Sequence, residues 1–178
     1  MASHSIDPDC PLLYFEDKVW LQGQVSGKVT IAAANLSSGA QTNLVVEDNI
    51  TYTDADSGLL AIAEDDVDIG LVVPDDMTAN GIFVAQNGRF GRNHYSRFDL
   101  PWWLDDYVCR DRLTRFGSVI SNGRVGTQWV GGTACSGSYS SGFENRVTSF
   151  DANQVDNPPP LTPETSDVYI FDNWRQDG

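Results

Sequence analysis

Carboxylates are the most numerous groups in this chain that could do chemistry. The 178 residues include 25 acidic and 11 basic side chains, which gives a formal net charge of −14. Glu47-Asp48 and Glu64-Asp65 each follow a strand-like run, so stacking of the two runs would place Glu47 above Glu64 and Asp48 above Asp65. Carboxylates that close repel each other unless water screens them or a hard cation such as Ca²⁺ bridges them. We favour a solvated acidic surface and keep calcium at these four residues as the alternative; no other cofactor is predicted.

The cysteines, histidines and arginines form no recognisable catalytic pattern. Cys135 lies in a Gly/Ser-rich stretch, but as a nucleophile it would need a base, and His94 is the only candidate. Motifs of serine hydrolases, P-loop proteins, dinucleotide-binding proteins and zinc proteases are missing from the sequence. Arg89 and Arg124 each follow an Asn-Gly pair and occupy equivalent positions of a repeat, where they could stack as a basic pair; we favour the simpler interpretation of corner residues with guanidinium groups in water. No catalytic residue is predicted, and we do not expect an enzyme.

Cys109 and Cys135 both lie in stretches typical of loops. Export from the cell would favour a disulfide between them, because disulfides persist in oxidising compartments. Two unpaired thiols in ordinary loops are the alternative. The sequence has no Cys-x-x-Cys pair, so a zinc site is not predicted.

The aromatic residues Trp102, Trp103 and Tyr107 form the best candidate for a ligand-binding surface. Asp105 and Asp106 lie beside them in the sequence. Exposed rings in such a segment could contact a sugar or a protein partner. A long loop usually needs its own hydrophobic anchor, however, and we therefore favour the interpretation that the two tryptophans close over a sheet as core.

The elements that would position these residues are short strands. Apolar residues occur in short alternating or β-branched runs bounded by Gly, Asn, Asp and Ser, and helical periodicity is almost absent. Five stretches share the pattern of a strand, a polar corner and a second short strand, and their corners are separated by about twenty residues except for one longer interval. The corners begin at Ser26, Glu47, Glu64, Gln86 and Ser121.

This repeat predicts an all-β fold, a short parallel β-helix or β-solenoid with two inserted loops. In that fold equivalent residues of successive coils stack in rows. One interior row would contain Val25, Val46, Ala63, Ala85 and Ile120. The alternative is an antiparallel sandwich, in which Asn87-Gly88 and Asn122-Gly123 form hairpin turns.

Three segments are expected along the chain. Residues 1–13 are interpreted as an N-terminal tail or an expression remnant, and residues 14–156 as the solenoid, with insertions near 92–113 and 127–146. Residues 157–178 begin with a proline-rich stretch and are expected to run back over the stack and cap it.

Several stretches between about Tyr14 and Arg175 carry a resemblance to a known family. They are Tyr14–Trp20, Gly27–Ala33, Asp48–Tyr52, Gly58–Glu64, Gly117–Gly126, Asn157–Pro163 and Trp174-Arg175. Together they resemble the C-terminal region of bacterial PilX-like proteins, which are associated with type IV pili and carry a domain of unknown function. The resemblance implies a pilus-associated or cell-surface location and a structural or adhesive role, and it implies no catalytic residues. Such proteins usually begin with a hydrophobic pilin-type helix, so we expect that a missing N-terminal helix anchors the full-length protein.

The sequence thus predicts a non-catalytic, surface-exposed structural or adhesive module, with pilus components, other cell-surface components or glycans as partners. A carbohydrate-binding or carbohydrate-active β-helix protein is the alternative. The acidic surface argues against nucleic acid as a partner, because the phosphate backbone would be repelled. No apolar run in the sequence is long enough to cross a bilayer, so we do not expect this part of the protein to lie in a membrane.

Overall fold

The computed structural model describes residues 7, 10–35, 42–132, 134–135 and 139–162. These residues form eleven strands: β1 (Leu12–Phe15), β2 (Val19–Val25), β3 (Lys28–Ala33), β4 (Leu44–Tyr52), β5 (Gly58–Ala63), β6 (Val67–Ile69), β7 (Asp76–Ala85), β8 (Phe90–Arg92), β9 (Cys109–Ser121), β10 (Gln128–Val130) and β11 (Tyr139–Ser149). A 3-10 helix (Trp102–Tyr107) and one turn of α-helix, α1 (Asn153–Asp156), are also present. No helix in this described part of the chain is long and apolar enough to span a membrane.

The strands form one large sheet in which almost every pairing is parallel. The first row of strands contains β1, β3, β5, the second half of β7 and the second half of β9. The second row contains the first halves of β2 and β4, followed by β6 and β8. The third row contains the second halves of β2 and β4, the first halves of β7 and β9, and β11. Only β10 and β11 pair in antiparallel fashion. The all-β prediction is confirmed, and the antiparallel sandwich is wrong.

Buried apolar side chains from all three rows meet in one core. Alternate residues of β7 are buried, as expected for a strand with one face on a core. The buried side chains include Leu59 and Phe83 of the first row, Phe90 of the second, and Leu113 and Phe143 of the third. The core therefore lies between the rows.

Two glycines allow a single strand to serve two rows. Gly81 of β7 and Gly117 of β9 are paired in register, and both have positive φ angles, +154° and +133°. A Cβ atom on Gly117 would collide with the carbonyl oxygen of Gly81. Glycine is therefore required where β9 bends from the third row into the first.

The predicted interior row is only partly correct. Ala63 pairs with Ala85 as expected. Val25 pairs instead with Tyr52, and Val46 pairs with Ile69. Ala85 pairs with Ser121, so the neighbouring Ile120 points to solvent with 59% of its surface exposed. Glu47 does lie at a corner, because β4 pairs with β6 up to Val46 and with β7 at Ile50. This corner joins the second and third rows, whereas Glu64 follows β5 and lies at the corner between the first and second rows.

The segment after β11 runs back over the outside of the first row. The buried Gln154 side chain donates its Nε2 to the carbonyl oxygen of Ser57 at 3.2 Å and accepts from Nζ of Lys28 at 3.1 Å. The Thr30 hydroxyl donates to the carbonyl oxygen of Pro160. The described part of the predicted capping segment, residues 157–162, therefore covers β3 rather than an end of the stack. The remainder, 163–178, lies outside the described residues.

Candidate functional site

A buried arginine organises the long connection between β8 and β9. Arg92 ends β8, and none of its surface is exposed. Its guanidinium group donates hydrogen bonds to four carbonyl oxygens, those of Gly70 (3.2 Å), Leu71 (2.9 Å), Tyr107 (2.6 Å) and Val108 (3.4 Å). Burial lowers the pKa of Arg92 to about 10, and Tyr95 opposes that shift. These bonds tie the end of the connection to the turn after β6.

Aromatic rings complete the surroundings of this guanidinium group. Its central carbon lies 5.4 Å from the ring centroids of both Tyr95 and Phe143. Such cation–π contacts favour the charged form and help to offset its desolvation. Nothing in the sequence indicated this role, because a single arginine at the end of a short strand usually faces water.

The disulfide provides a second anchor for the same connection. Cys109, the first residue of β9, is bonded to Cys135, with their Cα atoms 5.7 Å apart. This is the predicted pair, and Cys135 is therefore not available as a nucleophile. His94 instead lies 3.4 Å from the hydroxyl of Ser140 and contacts Trp129 edge to face.

Between its anchors the connection exposes three large aromatic side chains. Phe98, Trp102 and Trp103, here called the aromatic platform, have 99%, 80% and 61% of their surface exposed. The two indole rings meet edge to face, with centroids 5.9 Å apart. The favoured interpretation of the tryptophans as core is therefore wrong. Arg92 and the buried Val108 anchor the connection instead.

Tyr107 lies apart from the aromatic platform. Its ring is half-buried, and the Arg110 guanidinium group lies 5.0 Å from the ring centroid. The structure thus separates the predicted trio into two exposed tryptophans and one tyrosine that supports the connection.

Carboxylates surround the aromatic platform. Residues three apart in a 3-10 helix lie on the same side, so Asp105 follows Trp102 and Asp106 follows Trp103 along the helix. Asp99 lies next to Phe98 in the sequence and is exposed. A negative field next to apolar rings favours uncharged or cationic ligands over anionic ones.

The four predicted calcium ligands lie in two separate places. Glu47 lies beside Gly70: its Cγ atom is 3.6 Å from the position that a Cβ atom on Gly70 would occupy. Glu64 follows β5, and its Oε2 accepts hydrogen bonds from the Asn35 backbone N–H at 2.8 Å and from the Thr42 hydroxyl at 3.0 Å. Glu47 therefore does not stack on Glu64, because β4 and β5 belong to different rows.

The same separation applies to Asp48 and Asp65. Asp48 accepts a hydrogen bond from the N–H of Asn49, whereas burial, Asp66 and Glu64 raise the pKa of Asp65. Among the described residues, no three acidic, histidine or cysteine side chains are grouped closely enough to hold a metal ion.

Comparison of the chain with known proteins identifies no relative: no protein-family model matches it, and neither do the curated proteins or the solved structures. The resemblance to PilX-like pilus proteins therefore stays a prediction.

Proposed function

We propose that this chain is a short β-solenoid that acts as a non-catalytic adhesive module on a cell surface, and that the aromatic platform is its contact surface. The main observation behind this proposal is the exposure of Phe98, Trp102 and Trp103 on a connection that is anchored at its base. Large apolar patches on the surface of soluble domains often mark sites that bind a partner or a ligand.

The order of the strands supports the solenoid. The chain passes from the first row to the second and then to the third, and it repeats this order. One such passage is β3 followed by the two halves of β4, and the next is β5, β6 and the first half of β7. Each passage pairs in parallel with the one before it, which is the pairing that successive coils of a solenoid make.

The anchoring of the connection supports a binding role. A loop that is ordered before it meets its partner loses less conformational entropy on binding. Here the buried Arg92 and the disulfide from Cys109 hold the base of the connection. Large rings held in this way supply apolar contact area at small entropic cost.

The disulfide also supports an extracellular location, because such bonds persist in oxidising compartments. Pilus or other cell-surface components and uncharged glycans are the partners that fit an aromatic surface flanked by Asp99, Asp105 and Asp106.

The proposal can be tested with the Trp102→Ala/Trp103→Ala double variant. Binding of the wild-type protein and the variant to bacterial cells and to an array of uncharged glycans would be measured, and the variant should lose most of the binding. Trp20→Ala is the matched control, because Trp20 is also an exposed tryptophan, at 59%, but lies on β2.

Two results would contradict the proposal. One is a double variant that binds as well as the wild-type protein does. The other is the release of shortened oligosaccharides during incubation with glycans, which would indicate an enzyme rather than an adhesive module.

A further inference from the structure

Four arginines of this acidic protein converge on one cleft. Arg89, Arg115, Arg124 and Arg146, together with Trp129, line a half-open cleft of about 750 Å³, here called the arginine cleft. The chain has only 11 basic residues against 25 acidic ones. More than a third of its basic residues thus lie around a single cavity.

Two of these arginines stack at the corner between the first and second rows. Val67 pairs with Phe90, and Gly91 pairs with Gly126, which places Arg89 and Arg124 at equivalent positions of neighbouring strands. Strands in this direction are about 4.8 Å apart, so the two residues are close neighbours. The equivalence inferred from the two Asn-Gly-Arg stretches is therefore present in the structure.

The other two arginines occupy positions that are apolar and buried in the preceding strand. Arg115 pairs with Ala79, of which 1% is exposed, and Arg146 pairs with Leu113, which is fully buried. The Arg115 guanidinium group lies 5.4 Å from the ring centroid of Phe90. In β9 and β11, the last two strands of the third row, these guanidinium groups therefore lie on the face of the sheet that carries buried apolar side chains in the preceding strands.

None of the four arginines forms a salt bridge within the described part of the chain. The ion pairs found there involve Arg110 and Arg112, which lie elsewhere on β9. Burial lowers the pKa of Arg115, and the neighbouring Arg146 lowers it further. Arg89 and Arg115 each donate a hydrogen bond to a neutral side chain, those of Asn93 and Thr148. Like charges gathered without a salt bridge carry an electrostatic cost, and a bound anion would lower that cost.

Two carboxylates face the arginines, and both are engaged. Asp66 lines the cleft, and its Oδ1 accepts a hydrogen bond from the Arg89 backbone N–H at 2.7 Å. Asp68 is half-buried, and its carboxylate accepts a hydrogen bond from Nδ2 of Asn43 at 3.3 Å. Its pKa is raised, because burial and the charge of Asp66 outweigh the lowering effect of Arg89. The positive charge in the cleft therefore exceeds the negative charge.

One part of the remaining wall is apolar and aromatic, beside polar lining residues such as Asn87, Asn122 and Gln128. Trp129 donates its indole N–H to the carbonyl oxygen of Arg92 at 2.9 Å, which fixes the ring, and 38% of the residue stays exposed. Val125 and Val130 are 44% and 77% exposed on either side of it. Guanidinium groups bind carboxylates through paired hydrogen bonds, and a fixed indole stacks on the apolar face of a sugar ring.

We infer that the arginine cleft binds a short acidic oligosaccharide, one whose sugar rings carry carboxylates. A ligand of this class carries both carboxylates and apolar ring faces, and the cleft offers guanidinium groups for the first and the indole ring of Trp129 for the second. Long nucleic acids fit less well. Duplex DNA carries one charge per about 1.7 Å and needs an extended basic track, whereas a net charge of −14 surrounds this compact cleft. The site is separate from the aromatic platform and does not depend on it.

The test uses the whole chain and a short oligogalacturonate as the probe. Affinity is measured by titration calorimetry and by the change in tryptophan fluorescence. Arg124→Gln is the principal variant, because Arg124 is exposed and makes no hydrogen bond to any described residue. Its affinity should be about tenfold lower, the effect of losing one charge-assisted hydrogen bond.

Arg112→Gln is the matched control: it removes the same charge from an exposed arginine of β9 outside the cleft and should bind as the wild-type protein does.

Further variants and probes make every outcome informative. Trp129→Ala should weaken binding, and Trp102→Ala/Trp103→Ala should not. An uncharged oligosaccharide of the same length should not bind, and affinity should fall as salt is added. The inference is overturned if Arg124→Gln binds the oligogalacturonate normally, if the wild-type protein does not bind it, or if single-stranded DNA binds equally well. These results leave the proposal for the aromatic platform untouched.

Discussion

The aromatic platform and the arginine cleft are connected by Arg92. Its guanidinium group donates to the carbonyl oxygens of Tyr107 and Val108 below the platform, while its own carbonyl oxygen accepts the indole N–H of Trp129 in the cleft. Beyond this shared residue the two surfaces differ in construction and in charge.

The platform is built by an irregular connection and is surrounded by carboxylates, whereas the cleft is built by strand register and surrounded by guanidinium groups. In the cleft, parallel pairing places Arg89 and Arg124 at the same corner and so concentrates one type of charge. The net charge of a protein therefore does not determine the sign of each of its binding surfaces. Regular stacking can create a cationic site on an acidic chain.

Replacement of Arg92 by Met should have the largest effect, because it disturbs both surfaces. The carbonyl oxygens of Gly70 and Tyr107 would lose the donor that Arg92 supplies, whereas those of Leu71 and Val108 keep backbone N–H donors. Buried polar groups without partners cost about 1–3 kcal/mol each. We expect a loss of about 3 kcal/mol or more in the free energy of unfolding, measured by urea denaturation. Arg112→Met is the control. An unchanged stability would show that Arg92 does not couple the two surfaces.

Removal of the disulfide should affect the platform more than the cleft. The bonded cysteines are 26 residues apart, and closing a loop of that size contributes about 3 kcal/mol. Cys109→Ala/Cys135→Ala should therefore lower the melting temperature and weaken binding at the platform. Uronate binding should change less, because β10 and β11 remain paired beside the cleft. Cys10→Ala removes only an exposed free thiol and is the control; equal losses at both surfaces would argue against their separate construction.

Removal of the Asp66 carboxylate from the arginine cleft should strengthen the binding of uronate. Asp66→Asn keeps the Oδ1 acceptor for the Arg89 backbone N–H but deletes a negative charge. Exposed charge pairs contribute about 0.2–1 kcal/mol, so uronate affinity should rise about two- to fivefold in calorimetry. Asp106→Asn, next to the platform, should leave uronate affinity unchanged. If Asp66→Asn bound uronate more weakly than the wild-type protein does, this would contradict electrostatic recognition in the cleft.

A smaller effect is expected from the pH dependence of stability beside the cleft. Burial and the neighbouring Asp66 raise the pKa of Asp68 above its ordinary value of 3.8. The folded chain then holds this proton more tightly than the unfolded chain does, so the contribution of Asp68 to stability increases as pH falls from neutral towards 3.8. Urea denaturation at pH 7 and pH 5 should show this gain for the wild-type protein relative to Asp68→Asn, and identical pH profiles would refute it.

Much of the fold could be predicted because its signals are local. Alternating and β-branched runs identify strands, and the short buried run Leu59–Ala63 is the fully buried strand β5. Shared Asn-Gly-Arg stretches were enough to align Arg89 with Arg124. The disulfide partners were also predicted, because both cysteines lie in stretches typical of loops.

Register, burial and the direction of side chains required the tertiary structure. Glu47 follows the same kind of run as Glu64, yet it lies at the corner between the second and third rows and not at the corner between the first and second, so the predicted acidic stack does not form. The tryptophans of the platform are exposed because Arg92 and Val108, rather than the rings, anchor the connection. Arg115 and Arg146 carry no sequence signal at all, since only the pairing of β9 with β7 and β11 shows that they occupy positions that are apolar and buried in the neighbouring strands. The sequence by itself determined which segments are strands, because that depends on neighbouring residues. Which residues share a surface depends on contacts between distant segments, and only the folded chain decided it.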